Sequence, residues 1–179
     1  MVKLVKRMID HQSILRIKDR KLTHVENFLE VTKNYDFNWL SQLMDENQLY
    51  SNCFNKPLLQ PSLSDTWQVL AVSKHDDFIA MFHDFVFKLG SYPFHERDRM
   101  DLFLSFETSI GPTHRDKEDV FILGLYGKTM YRVWKNNTVT EVLINKGDMI
   151  YIPSGVLHRS ISITPRIIAS LSLWGKSND

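Results

Sequence analysis

The feature that most constrains this chain is a dense succession of short apolar runs, each closed by turn chemistry, from about residue 100 to Trp174. Residues 102–106, 120–126, 130–134, 138–144, 149–152, 160–164 and 167–174 have the length and composition of strands. Between them stand Gly127-Lys128, Asn136-Asn137, Lys146-Gly147-Asp148 and Pro165. Gly127-Lys128 reads as the tight turn of a hairpin. Strands this closely spaced run antiparallel, and closing them into a barrel or jelly roll removes the exposed edges that invite aggregation. The expected fold is mainly β, a double-stranded β-helix with a helical flank before it.

The flank is legible because the period changes. Val25, Phe28, Leu29 and Val31 recur at helical spacing, as do Phe37, Trp39, Leu40, Leu43 and Met44. Residues 77–89 give the broadest stripe, with Phe78, Phe82, Phe85 and Leu89 on it and Gly90 placed as a C-cap. Lys56-Pro57 and the stretch 60–65 read as turn-rich pieces, and residues 95–101 as a solvated charged loop. Residues 1–99 are therefore expected to hold the helical flank and first strands, and 100–174 the barrel core, in a single domain over 1–179. A chain of 179 residues is long enough to bury a core of that size.

Composition gives no reason to choose several function classes. The net charge of +1 gives no bulk attraction to nucleic acid or anionic membranes. No run approaches the roughly 20 apolar residues that span a bilayer. The basic N-terminus is too short and interrupted for a signal peptide. Cys53 is the only cysteine and forms no internal disulfide, so the expected location is the cytoplasm.

His114-Arg115-Asp116 is the first chemical signal. On a strand, alternate residues share a face, so His114 and Asp116 would point inward while Arg115 points out. His158 follows the turn Pro153-Ser154-Gly155 and opens another strand. Two histidines and a carboxylate on one face make a non-haem Fe(II) site with open positions for O2 and a substrate, although Mn, Co, Ni or Zn would suit the same donors. His75-Asp76-Asp77 with His83 is the rival cluster, but a helix would turn His75 and Asp77 to different sides.

Two stretches carry a family resemblance. Gly147-Asp-Met-Ile-Tyr-Ile-Pro-Ser-Gly-Val-Leu-His158 matches the second cupin motif at glycine, proline, glycine and histidine. The segment from His114 to Trp134 has His-x-Asp, then Asp119-Val-Phe, then a glycine turn and an aromatic-rich strand. Over residues 100–174 the chain resembles the cupin superfamily, and within it the Jumonji-C-type Fe(II)/2-oxoglutarate oxygenases, most closely the ribosomal-oxygenase branch. The resemblance implies His114, Asp116 and His158 as metal ligands and catalytic residues. It implies Fe(II), 2-oxoglutarate and O2 as cofactor and cosubstrates, with hydroxylation of an amino-acid, peptide or protein side chain as the reaction. It does not extend to the helical and winged-helix parts that follow the barrel in that branch, so it implies no ribosomal-protein substrate.

The family places a lysine or arginine on the strand after the turn glycine, where it pairs with the distal carboxylate of 2-oxoglutarate. Here that position is Thr129. Three readings follow. A bulge turns Lys128 inward; or Thr129 and Tyr131 bind the carboxylate with hydroxyls while Arg166 reaches in; or the protein is a metal cupin that does not use 2-oxoglutarate, a dioxygenase, isomerase or lyase acting on a small molecule. A non-catalytic cupin binding module is the remaining reading, against which the complete triad speaks. Cupin barrels often pair through their edges, so a homodimer is compatible with the fold. Trp67, Tyr92 and Phe94 are aromatic candidates for a substrate entrance.

Overall fold

A computed structural model describes residues 9–31, 34–46, 59–61, 67–69 and 99–174 of the chain. The expected helix over 77–89 with its cap, the rival histidine cluster, Cys53, Tyr92, Phe94 and the Trp67 side chain lie outside the described residues.

Two antiparallel sheets face each other. The larger takes β1 (Thr23–Val25), β9 (Met149–Ile152), β6 (Asp119–Tyr126), β11 (Arg166–Leu173), β4 (Arg99–Ser105), β3 (Trp67–Val69) and β2 (Leu59–Pro61), in that spatial order. The smaller takes β5 (Ser109–Ile110), β10 (Leu157–Ser162), β7 (Thr129–Lys135) and β8 (Thr138–Ile144). The chain alternates between the sheets as it winds, which is the double-stranded β-helix the strand spacing predicts. Gly127-Lys128 is therefore no hairpin: β6 and β7 lie in different sheets, and the turn is a corner between them. The tight hairpin of this region is the next one, where Asn136 and Asn137 both adopt positive φ and β7 pairs with β8 from Lys135 opposite Thr138.

The burial pattern explains why β6 reads as an unbroken apolar run. Its inward residues Val120 and Ile122 meet Tyr131, Val133, Val142, Ile150 and Ile168 between the sheets. Its outward residues Phe121, Leu123 and Leu125 are fully buried too, beneath the N-terminal flank. A sheet covered on both faces loses the period-2 alternation that a half-exposed strand shows. In contrast, β7 alternates buried and half-buried residues along its length, because only its inner face is covered.

The flank covers the outer face with α1 (His11–Lys18), α2 (Phe37–Glu46) and the segment between them. Asp10 caps α1 through its side chain, which accepts from the Ser13 amide at 2.9 Å. Asp36 does the same for α2, accepting from the Trp39 amide at 2.9 Å. The α2 periodicity expected from Phe37, Trp39 and Leu40 is present. The helix expected around Val25–Val31 is not: β1 ends at Val25 and turns follow, yet Phe28, Leu29 and Val31 are all buried. Local spacing alone does not separate a helix from a turn that happens to bury the same residues. Residues 60 and 61 belong to β2 rather than a turn, and the charged run ending at Asp101 enters β4, where Asp101 is 2% exposed. No helix among the described residues is long and apolar enough to cross a membrane.

Candidate metal centre and anion cradle

His158 is the second residue of β10, and His114 lies directly opposite it in an isolated antiparallel bridge. The two residues exchange both backbone hydrogen bonds, each 2.9 Å, so their side chains emerge on the same face. Asp116 follows in a loop rather than on a regular strand, but its carboxylate still turns toward both rings. One oxygen lies 3.6 Å from His114 Nε2 and the other 3.3 Å from His158 Nε2. The three donor atoms fall within 4.8 Å of one another. Arg115 points away, as alternation predicts, and donates to the Gly155 carbonyl.

Each histidine is oriented by a carbonyl on its far side. His114 Nδ1 is 3.0 Å from the Pro112 oxygen and His158 Nδ1 is 3.0 Å from the Val156 oxygen. A carbonyl only accepts, so both Nδ1 atoms carry the proton and both Nε2 lone pairs face the centre. Burial pulls the His158 pKa below its ordinary value, against the opposing pull of the Val156 carbonyl and of Asp116. The ring is thereby held neutral, the form that binds a metal. Two imidazoles and a carboxylate on one side fit a divalent first-row metal with open positions opposite.

The triad opens into a cavity of about 280 Å3 between the sheets. Tyr131, Ser160 and Arg166 line the same cavity. Arg166 is 2% exposed and begins β11. Its guanidinium donates to Thr129 Oγ1 at 3.1 Å, Ser160 Oγ at 3.2 Å and Ser105 Oγ at 3.3 Å. Burial pulls its pKa down, and its contact with Tyr131 pulls the other way. Burial raises the Tyr131 pKa to about 12, so its hydroxyl keeps its proton. No carboxylate among the described residues pairs with Arg166. Thr129 thus stands under the guanidinium, and the cation occupies the position's neighbourhood from a different strand. Lys128 sits at the exposed corner, its amide bound to Thr164 Oγ1 at 2.9 Å, and does not line the cavity. The end of β6 does carry a register shift opposite Ile167 and Ile168, but Lys128 lies beyond it, at an exposed corner between the sheets.

The serines went unread in the sequence. Ser109 joins Ser105 at 3.3 Å and Ser162 at 3.1 Å, and all three are buried. The available signal was period-2 placement: Ser160 and Ser162 share a face with His158, where an inward strand position is ordinarily apolar. Asp101 also lines the cavity, although its neighbours in sequence read as a solvated run.

No protein-family model matches this chain, and no curated protein matches it in sequence. Solved structures do match in shape. Against YcfD, a ribosomal oxygenase from Escherichia coli, the TM-score is 0.69 at 15% identity, covering 96% of this chain and 52% of that one. The same enzyme in complex with cobalt and 2-oxoglutarate gives 0.68 at 14% identity, covering 96% and 53%. In complex with cobalt and succinic acid it gives 0.68 at 14%, covering 96% and 52%. This chain therefore spans about half the length of the ribosomal oxygenase it matches. The overlap shows that the chain shares its fold, a double-stranded β-helix, with that ribosomal oxygenase.

Proposed function

We propose that this protein is an Fe(II)- and 2-oxoglutarate-dependent oxygenase that hydroxylates an amino-acid, peptide or protein side chain, with the cytoplasm as its compartment. The observation that carries this reading is Arg166, a buried cation with hydroxyl partners and no carboxylate partner among the described residues, in the same cavity as the triad. Burying an unpaired charge costs several kcal/mol, roughly, so a site that keeps one is built for an anion. Ser160 lies two residues beyond His158 on β10, a step of roughly 6.8 Å. That spacing suits a short dicarboxylate with one end at the triad and the other on Arg166.

His114, Asp116 and His158 would hold the metal. When bound, it supplies the oxidation in which 2-oxoglutarate, O2 and a substrate C–H give succinate, CO2 and a substrate C–OH. The chain's own residues bind and orient. Arg166 takes the distal carboxylate, with Thr129, Ser160 and Ser105 fixing the guanidinium plane. Tyr131, protonated throughout the neutral range, presents a hydroxyl as donor beside it. Val120, Ile122 and Ile168 form an apolar wall that keeps water from the reacting centre.

The test is anaerobic titration of the Fe(II)-loaded protein with 2-oxoglutarate, followed by the visible charge-transfer band of the chelate. The band is expected in the wild type and lost in His114→Ala. Iron binding without any band would turn the assignment to a metal cupin that does not use 2-oxoglutarate.

A further inference from the structure

We propose that Asp119 and Arg20 are positioning residues of the metal centre, joining the two loops that carry its ligands. This rests on the reading that the triad holds a divalent metal. The His114–Asp116 segment is fixed to the sheet only at His114, by its bridge to His158. From there the chain leaves the ladder until β6 starts at Asp119, so strand pairing does not set the direction of the Asp116 carboxylate.

Other contacts set it, and they converge on the turn before His158. The Gly155 amide donates to the Asp116 carbonyl at 2.8 Å. Asp119, 1% exposed, accepts from the Ser154 amide at 2.8 Å and from the Tyr151 hydroxyl at 3.0 Å. Arg20 comes from the flank and locks the pair: one guanidinium nitrogen donates to Asp119 Oδ1 at 3.1 Å and to Ser154 Oγ at 2.7 Å. The residue three positions after one ligand is thus tied to the turn four positions before another, by a cation from a remote part of the chain.

An ion pair with a buried carboxylate and a partly exposed arginine adds little as pure stabilisation, because desolvation of the acid offsets much of the attraction. Its use is directional. Charged hydrogen bonds fix orientation where packing alone would let a loop slide. Metal ligands need placement within about 0.5 Å, and loss of such outer partners typically weakens metal affinity about 10- to 100-fold.

The experiment is titration of the apo protein with Co(II), followed by its visible ligand-field bands, beside thermal unfolding of the same apo samples. The variants are Asp119→Asn, Arg20→Gln, Arg20→Lys and, as comparison, Asp148→Asn. Asp148 is also a buried carboxylate that holds a turn, accepting from the amides of Asn27 at 2.7 Å and Asn145 at 2.9 Å, but at the other end of β9. Asp119→Asn and Arg20→Gln are expected to weaken Co(II) binding about 10- to 100-fold and to shift the bands, with partial rescue by Arg20→Lys. Asp148→Asn is expected to lower the melting temperature yet bind Co(II) like the wild type. If Asp119→Asn does not fold, the half-exposed Arg20 still decides the matter. Wild-type affinity and spectrum in both Asp119→Asn and Arg20→Gln, or in Arg20→Gln alone where Asp119→Asn fails to fold, would overturn the proposal. So would an equal loss in Asp148→Asn. A wild-type protein that takes up no Co(II) would instead overturn the metal reading beneath it.

Discussion

Arg166 sits where function and stability pull in opposite directions. The three hydroxyls it donates to hold the guanidinium without neutralising its charge. On the proposed reading, removing it relieves a buried cation that has no carboxylate partner among the described residues, but empties the anion site. Arg166→Met is therefore expected to melt at the wild-type temperature or above, while its KM for 2-oxoglutarate rises about 10- to 150-fold, the equivalent of roughly 1.5–3 kcal/mol for a charged hydrogen bond. Calorimetry and a succinate-release assay read the two effects separately. A merely structural arginine would lower the melting temperature and leave KM alone. Tyr131 gives a second residue-scale test. Its pKa is raised from 10.0 to about 12, chiefly by burial. The stability this contributes is complete below pH 10 and is lost as pH rises from 10 toward 12, because the unfolded chain releases that proton first. Urea midpoints across this window are expected to fall less steeply in Tyr131→Phe than in the wild type.

Among the elements, the corner between β6 and β7 matters most to the cradle. Gly127 has φ +70°, and a Cβ there would sit 1.9 Å from the Pro165 carbonyl oxygen and 3.0 Å from Arg166 Cα. Gly155 has a similar φ of +75° but open space around its missing side chain. The pair separates backbone strain from collision. Gly155→Ala is expected to cost about 1–2 kcal/mol, the usual penalty for an L-residue in left-handed backbone. Gly127→Ala carries the same strain and must also displace the main chain that bears Arg166. It is expected to lose clearly more stability than Gly155→Ala, and 2-oxoglutarate affinity with it; denaturant midpoints and the iron chelate band measure the two. Equal midpoints for the two variants would mean the corner yields without moving β11.

Across the whole molecule, the candidate metal site is built from β10, the residue bridged to it and the loop that leads into β6 of the facing sheet. A ligand that binds only the folded state stabilises it by mass action, by roughly 2.7 kcal/mol at one hundred times its dissociation constant. For a chain of this length that corresponds to a rise in melting temperature of about 5–10 °C. Co(II) or anaerobic Fe(II) is expected to produce such a rise, a chelator to reverse it, and Asp116→Ala to abolish it. Scanning fluorimetry suffices as the measurement.

The sequence by itself determined most of the strands after residue 100 and singled out the candidate donor set, since both are written in local chemistry. Residues 120–126, 138–144 and 149–152 read as strands because their composition admits little else. His114, Asp116 and His158 could be named because two motifs fix them along the chain. What the sequence left open depends on which strand lies beside which. Thr129 at the expected basic position left three alternatives, and only the placement of β11 against β4, with its first residue beneath β7, brings Arg166 to Thr129 across 37 positions. The corner at Gly127 reads locally as a hairpin, because a turn between sheets and a turn within one use the same residues. Asp101 and the serines were hidden for a related reason: a polar residue on a strand marks solvent or a cavity alike, and tertiary packing alone decides which one it faces.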